Sequence, residues 1–294
     1  MDSLKRGYYM KKILVILFTF LLFITSFGES QYKHIASLNL SSDEMLTALV
    51  APERIVGLSG KISEDKDMSN IPEIAKKFPK IEKNLETLLS LNPDLVVAAD
   101  WIDSSYLQSI KDAGIDVYIY KTPKTYAEQK KIILDLAKTV GEEKKGEEIV
   151  DDMDRRLKKV QEKIKALGLQ YKPKVMLYTP YETTSDENTS FNDLVKLIGG
   201  VNPVVGSGVN SFQKISKEKV IELDPDVIIV PVWSNNLDND KFFDYLLKDS
   251  SFRDMNVVKN KNIYGIPYKK LSPTSQYMIG GIEEMAKVVY QLED

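Results

Sequence analysis

ETLLSLNPDLVVAADW, residues 86–101, recurs as EKVIELDPDVIIVPVW at residues 218–233. Glu, Leu, Pro, Asp and Trp return in place, and branched aliphatics exchange for one another at five further positions. Asn84 and Ser216, each two residues ahead of the glutamate, suit a helix N-cap, because their side-chain oxygens accept from first-turn N–H groups. Glu86 and Glu218 then fall in the first turn, where the helix dipole favours an anion. Asn92-Pro93 and Asp224-Pro225 stop the helices, since a residue ahead of proline avoids the α region. LVVAA (95–99) and VIIVPV (227–232) are continuous apolar runs of strand length, which suits parallel strands covered on both faces. Trp101 and Trp233 stand just past the ends of those strands.

The flanking sequence alternates in the same way. HIASLN (34–39) and RIVGL (54–58) read as strands around a helix at 43–50. Helix 104–113, strand 117–120 and helix 125–140 follow the first copy, whereas 60–80 reads as polar and irregular. The second half opens with strand KVMLYT (174–179) and helix 191–198, for which Ser190 and Asp193 form a capping box. After the second copy come helix 241–247, strand IYGIP (263–267) and helix 276–292. Strands alternating with helices predict mostly parallel sheets. Between the copies, apolar residues at 149, 150, 153, 157, 160, 164 and 167 make one helical stripe, with Gly168 as the C-terminal cap. A helix over 142–167, about 39 Å long at 1.5 Å per residue, is a strut between two lobes. Gly146 is its weak point, costing about 1 kcal/mol relative to alanine.

The 294 residues suffice for one large domain or two lobes with separate cores, and 43% hydrophobic with 28% charged residues describes a globular chain. Lys5, Arg6, Lys11 and Lys12 precede the largely apolar run 13–27, and Ser26-Phe27-Gly28 is a small-x-small exit, so residues 1–28 read as a secretory signal. The run is shorter than the roughly 20 apolar residues that span a bilayer. Translation starts at Met1 or Met10. No cysteine is present to form disulfides or carry a lipid, so the exported chain is expected free, in a periplasm. Losing residues 1–28 removes four cations and one anion and takes the formal charge from −3 to −6. So acidic a chain is poorly suited to broad nucleic-acid contact.

With repeat, strut and signal in place, the sequence resembles the class III periplasmic binding proteins, which deliver ferric siderophores, haem or cobalamin to ABC importers. The resemblance is carried by NLETLLSLNPDLVVA (84–98), SFNDLVKLIGGVNP (190–203) and SKEKVIELDPDVIIV (216–230). It implies an α/β fold of two Rossmann-like lobes with central, mostly parallel sheets, at 31–141 and 168–294, joined by one long α-helix at 142–167. It further implies ligand held between the lobes, small lobe motions, and a glutamate from each lobe that pairs with arginines of the permease; Glu86 and Glu218 match. A monomer is expected, with no catalytic residues and no resident cofactor or metal.

The residues themselves agree with a binding role. In open parallel sheets ligands sit beyond the carboxyl ends of the strands, and Trp101, Lys121, Tyr181, Trp233 and Tyr268 all follow strands at that end. Large amphipathic rings suit an apolar macrocycle or aromatic chelate, though each is equally a packing residue. Lys61, Lys121, Lys214 and Lys269 lie in loops near the expected rim, where they meet an anionic chelate or simply water. Tyr181 and Tyr268 are candidate axial donors to haem iron. An iron chelate, siderophore or haem, is the expected ligand, with cobalamin as the alternative. An exported sensor or adhesion module on the same fold is the reading from another class. A Ser–His hydrolase would depend on the single His34, and no G-x-S-x-G occurs. A bare zinc or manganese site needs more His or Cys than this chain owns. A calcium loop starting at Asp65 fails at its twelfth position, Lys76.

Overall fold

The computed structural model describes residues 31–293, except 83, 212 and 234–237; the signal read at 1–28 lies outside them. The first copy of the repeat folds as helix α3 (Leu85–Ser90) and strand β4 (Leu95–Ala99), the second as α8 (Lys217–Leu223) and β7 (Val227–Val232). Asn84 Oδ1 accepts from Thr87 N at 3.2 Å, and Ser216 Oγ from Lys219 N at 3.2 Å, so both caps form. The residue before each proline turns the chain through left-handed backbone, Asn92 at φ 47° and Asp224 at φ 41°. Asn and Asp tolerate that region better than other side chains, and the step also keeps them out of the α region that proline disfavours.

The recurring aspartates, Asp94 and Asp226, have structural work. Asp94 accepts from Lys33 N (2.7 Å) and His34 N (3.0 Å), and Asp226 accepts from Lys174 N (2.7 Å). Each pins its strand to the segment entering the neighbouring strand, β1 (Ile35–Ser37) or β6 (Val175–Leu177). Register follows: Ile35 pairs with Leu95, and Val175 with Val227.

The first sheet is five parallel strands in the order β3-β2-β1-β4-β5, where β2 is Ile55–Ser59, β3 Lys80–Ile81 and β5 Asp116–Tyr120. The second is three parallel strands, β6-β7-β8, with β8 at Ile263–Pro267. Along β4 and β7 alternate side chains enter different cores. Leu95, Val97 and Ala99 join Val227 and Ile229 in one apolar cluster, while Val96 and Ala98, or Ile228 and Val230, face clusters belonging to one lobe. The cores are therefore not separate: one inner core is shared by both sheets. The segment 60–80 also departs from the irregular reading. It holds helix α2 (Pro72–Ala75), with proline at the N-terminus, and β3, too short to show a period of two.

The strut is α6 (Glu143–Ala166), 24 residues or about 36 Å. Val150, Met153 and Val160 are buried in the shared core with Ile149, Leu157 and Ile164 against it, but Leu167 ends the stripe exposed. Gly168, at φ 64°, donates its N–H to Lys165 O. Gly146 is not a weak point of the helix. It is buried against helix α5 (Tyr126–Thr139), and a Cβ built on it falls 2.4 Å from Ala137 Cβ. Glycine stands there because the two helices approach too closely for a methyl group.

Polar contacts tie the lobes. Glu44, on α1 (Leu40–Leu49), accepts from Asn70 N and Nδ2 (both 2.9 Å) and from Ser275 Oγ (2.5 Å). Gln276 Nε2 donates to Glu44 O at 2.7 Å, and the Ser41 and Thr274 hydroxyls meet. Helix α7 (Ser190–Leu197) is capped by Thr189 rather than Ser190. Asp193 is not part of a box because its carboxylate accepts from Tyr126 N of the other lobe at 2.7 Å. Arg156 of the strut grips Glu283 on α12 (Met278–Tyr290) through two hydrogen bonds.

Candidate functional site

Strands β7 and β8 lie in register, with Val232 opposite Pro267. The next residues, Trp233 and Tyr268, therefore leave the sheet side by side, and their rings stack with centroids 5.2 Å apart and planes at 20°. Tyr268 opens the short helix α11 (Tyr268–Leu271), and Leu271 continues the wall. The opposite side comes from the loop after β6. Thr179 Oγ1 accepts from Tyr181 N and Thr183 N (both 3.2 Å) and shares a 2.7 Å hydrogen bond with the Thr183 hydroxyl. Glu182 takes φ 58° there. The tight turn holds Tyr181 at its apex, 71% exposed.

These elements enclose a cavity of about 420 Å³ at the carboxyl edge of the second sheet. Thr184, Ser185, Thr189, Ser190, Phe191 and Ser272 complete much of its lining, and Met68 enters from the first lobe. Asp65, the residue that superficially begins a calcium loop, instead accepts from Asp67 N (2.8 Å) and Met68 N (3.2 Å) and shapes the turn that presents Met68. Thr184 and Thr189 hydroxyls are spent on backbone carbonyls, Leu177 O and Asp186 O. The hydroxyls of Tyr181, Ser185, Ser190, Ser272 and Tyr268 have no partner among the described residues.

Of the eight residues expected at the ligand, three meet in this cavity: Tyr181, Trp233 and Tyr268. Trp101, 62% exposed, lines a different cavity of about 400 Å³ in the first lobe, with Leu38, Ile81, Glu82 and Tyr106. The lysines do not converge. Lys121 borders a recess beside the edge strand β5, among Tyr118, Lys131 and Asp135. Lys214 lies 3.9 Å from the Glu182 carboxylate in a shallow recess that Tyr181 also borders. Lys269 Nζ donates to Lys66 O at 2.9 Å. Lys61 is exposed in a short 3-10 turn, Lys61–Glu64, away from these linings.

Glu86 and Glu218 are exposed, each in the first turn of a capped helix at equivalent points of the repeat. Backbone N–H and the Ser216 hydroxyl hold the Glu218 carboxyl below its ordinary value, which keeps it ionised. Behind the cleft-side loops, Asp43 accepts from Ser59 N (3.0 Å) and Ser59 Oγ (2.6 Å). Burial pushes its carboxyl up to about 7 against the pull of its Ser37 and Ser59 hydrogen bonds. Burial also raises Glu44.

Sequence reasoning missed the hydroxyl-rich lining. Its signal is YTPYETTSDENTS (178–190), a run dense in Thr and Ser directly after a strand.

The sequence profile described as periplasmic binding protein matches residues 35–269. An uncharacterized ABC transporter substrate-binding lipoprotein of Bacillus subtilis is 25% identical over 266 residues, 88% of this chain and 80% of the relative. An iron-uptake system-binding protein of the same organism is 26% identical over 224 residues, 73% and 68% of the two chains. The fold is shared with a crystal structure described as a possible iron-binding (periplasmic solute-binding) protein from Staphylococcus epidermidis. That likeness has a TM-score of 0.75 at 24% identity, covering 88% of this chain and 99% of the other.

Proposed function

Because this chain belongs to the periplasmic binding protein family, we propose that it captures an iron chelate, siderophore or haem, and hands it to an ABC import permease. The observation that carries the ligand side is the cavity beyond β7 and β8, walled by the Trp233–Tyr268 stack and roofed by Tyr181. Its 420 Å³ and aromatic lining suit a compact organic chelate better than a bare ion. The iron-uptake relative supports the same class.

Glu86 and Glu218 dock the permease: two exposed carboxylates on repeated helices give a two-fold symmetric partner one anion on each half. Residues 1–28 direct export, and a chain without cysteine stays free of lipid as a monomer in the periplasm. The two lobes are 31–141 and 168–294, with 142–167 as the strut.

The chain has two tryptophans in different cavities, which makes the test direct. Ferric chelates are titrated into Trp101→Phe and Trp233→Phe. Quenching should persist when Trp233 is the sole reporter and largely vanish when Trp101 is. Quenching confined to Trp101 places the ligand elsewhere, and none from any iron chelate refutes the ligand class.

A further inference from the structure

The described side chains that line the Trp233–Tyr268 cavity are aromatic, aliphatic, thioether or hydroxyl; none is a lysine, arginine, histidine, aspartate or glutamate. From this we infer that the chelate enters with its charge already cancelled: a net-neutral metal complex whose outer surface offers amide or hydroxamate oxygens. The inference rests on the importer reading and narrows its ligand.

Three observations converge. Lys214, Lys269 and Lys270 point their ammonium groups to the Glu182 carboxylate, to Lys66 O and to the Glu284 carboxylate. Lys121 and Lys61 lie outside the lining altogether. Five hydroxyls, of Tyr181, Ser185, Ser190, Ser272 and Tyr268, remain without partners among the described residues and donate to neutral oxygens without a charge to match. A carboxylate brought into such a site exchanges water for uncharged donors and finds no counterion, a loss that grows as the cavity closes over it. A neutral oxygen gives up much less. The stacked rings then supply contact with the apolar body of the chelate, which is insensitive to its charge.

The experiment compares affinities by fluorescence of the whole exported chain. The panel holds a neutral ferric trihydroxamate, cobalamin with its amide rim, anionic ferric dicitrate, and haem with two carboxylates. At least one neutral complex should bind about 100-fold more tightly than either anionic one, the scale of one uncompensated buried polar group. Which neutral complex leads separates a siderophore from a corrinoid. A second arm uses Ser272→Lys, at an exposed lining position, which should raise ferric dicitrate affinity about 10-fold. Tighter binding of dicitrate or haem than of both neutral complexes overturns the inference while leaving the importer reading intact. No binding by any member removes both.

Discussion

Replacing Gly146 by alanine tests how the strut is seated. On an isolated helix the change is favourable by about 1 kcal/mol. Here the new Cβ would lie 2.4 Å from Ala137 Cβ, with Ile133 O at 3.6 Å and Leu134 Cδ2 at 3.8 Å. Carbon atoms prefer roughly 3.5–4.0 Å, so α5 and α6 must separate by more than an ångström where both enter the shared core. Overpacking of that kind costs up to about 3 kcal/mol. The net expectation is a loss of about 2 kcal/mol, which in a chain of this size lowers Tm by roughly 4–8 °C. Urea unfolding of Gly146→Ala, Ala137→Gly and the double variant separates the terms. Ala137→Gly alone should cost about 1 kcal/mol. The double variant restores one methyl to one interface and should lie within about 1 kcal/mol of the parent, a coupling expected only for side chains in contact. If Gly146→Ala is stabilising by about 1 kcal/mol, or the two changes simply add, the close approach is absent.

Three further outcomes are expected. Asp43 has a folded-state carboxyl raised from 3.8 to about 7, so its contribution to stability is full below 3.8 and lost as pH rises through 7. Asp43→Asn should therefore gain on the parent by up to about 4 kcal/mol between pH 4 and pH 8; a pH-independent difference in unfolding free energy contradicts the burial argument. The double change Glu86→Ala with Glu218→Ala should leave ligand affinity and Tm nearly unchanged while transport into cells falls sharply, more so at low salt; normal transport or lost ligand binding removes the docking role. Scattering profiles with and without chelate should nearly superimpose, because the strut and the Glu44 contacts both bridge the lobes; a large fall in radius of gyration indicates hinge closure instead.

The two-lobed plan was legible because the helix–strand unit is repeated with its caps and stops, and these are local signals that survive folding. Strand β3 was not, since two residues carry no periodicity and owe their place to pairing with Leu58 and Ser59. Gly146 was misread because helix propensity speaks of one helix, whereas the reason for glycine lies on another. At the site, Trp233 and Tyr268 were readable as residues following strands. Lysines in loops were not, for their stems reach several ångströms in any direction, and Lys269 and Lys214 turn to a carbonyl and a carboxylate that sequence does not place nearby. The Thr and Ser hydroxyls of 178–190 looked like ordinary turn chemistry, which four of the six are: Thr179, Thr183, Thr184 and Thr189 shape the loop, and Ser185 and Ser190 are left for the cavity.

The Glu44 contact also sets a clock. Its donors Ser275 and Gln276 are made 231 and 232 residues after it. At about 5–20 residues per second, synthesis takes roughly 10–50 s to supply the partners of the Glu44 carboxylate and main-chain oxygen. Until then the shared core lacks the strands and closing helix of the second lobe, though the helices Leu40–Leu49 and Tyr126–Thr139 already pack on the first sheet. Chain completion, not formation of the first sheet, is the event that seals the molecule.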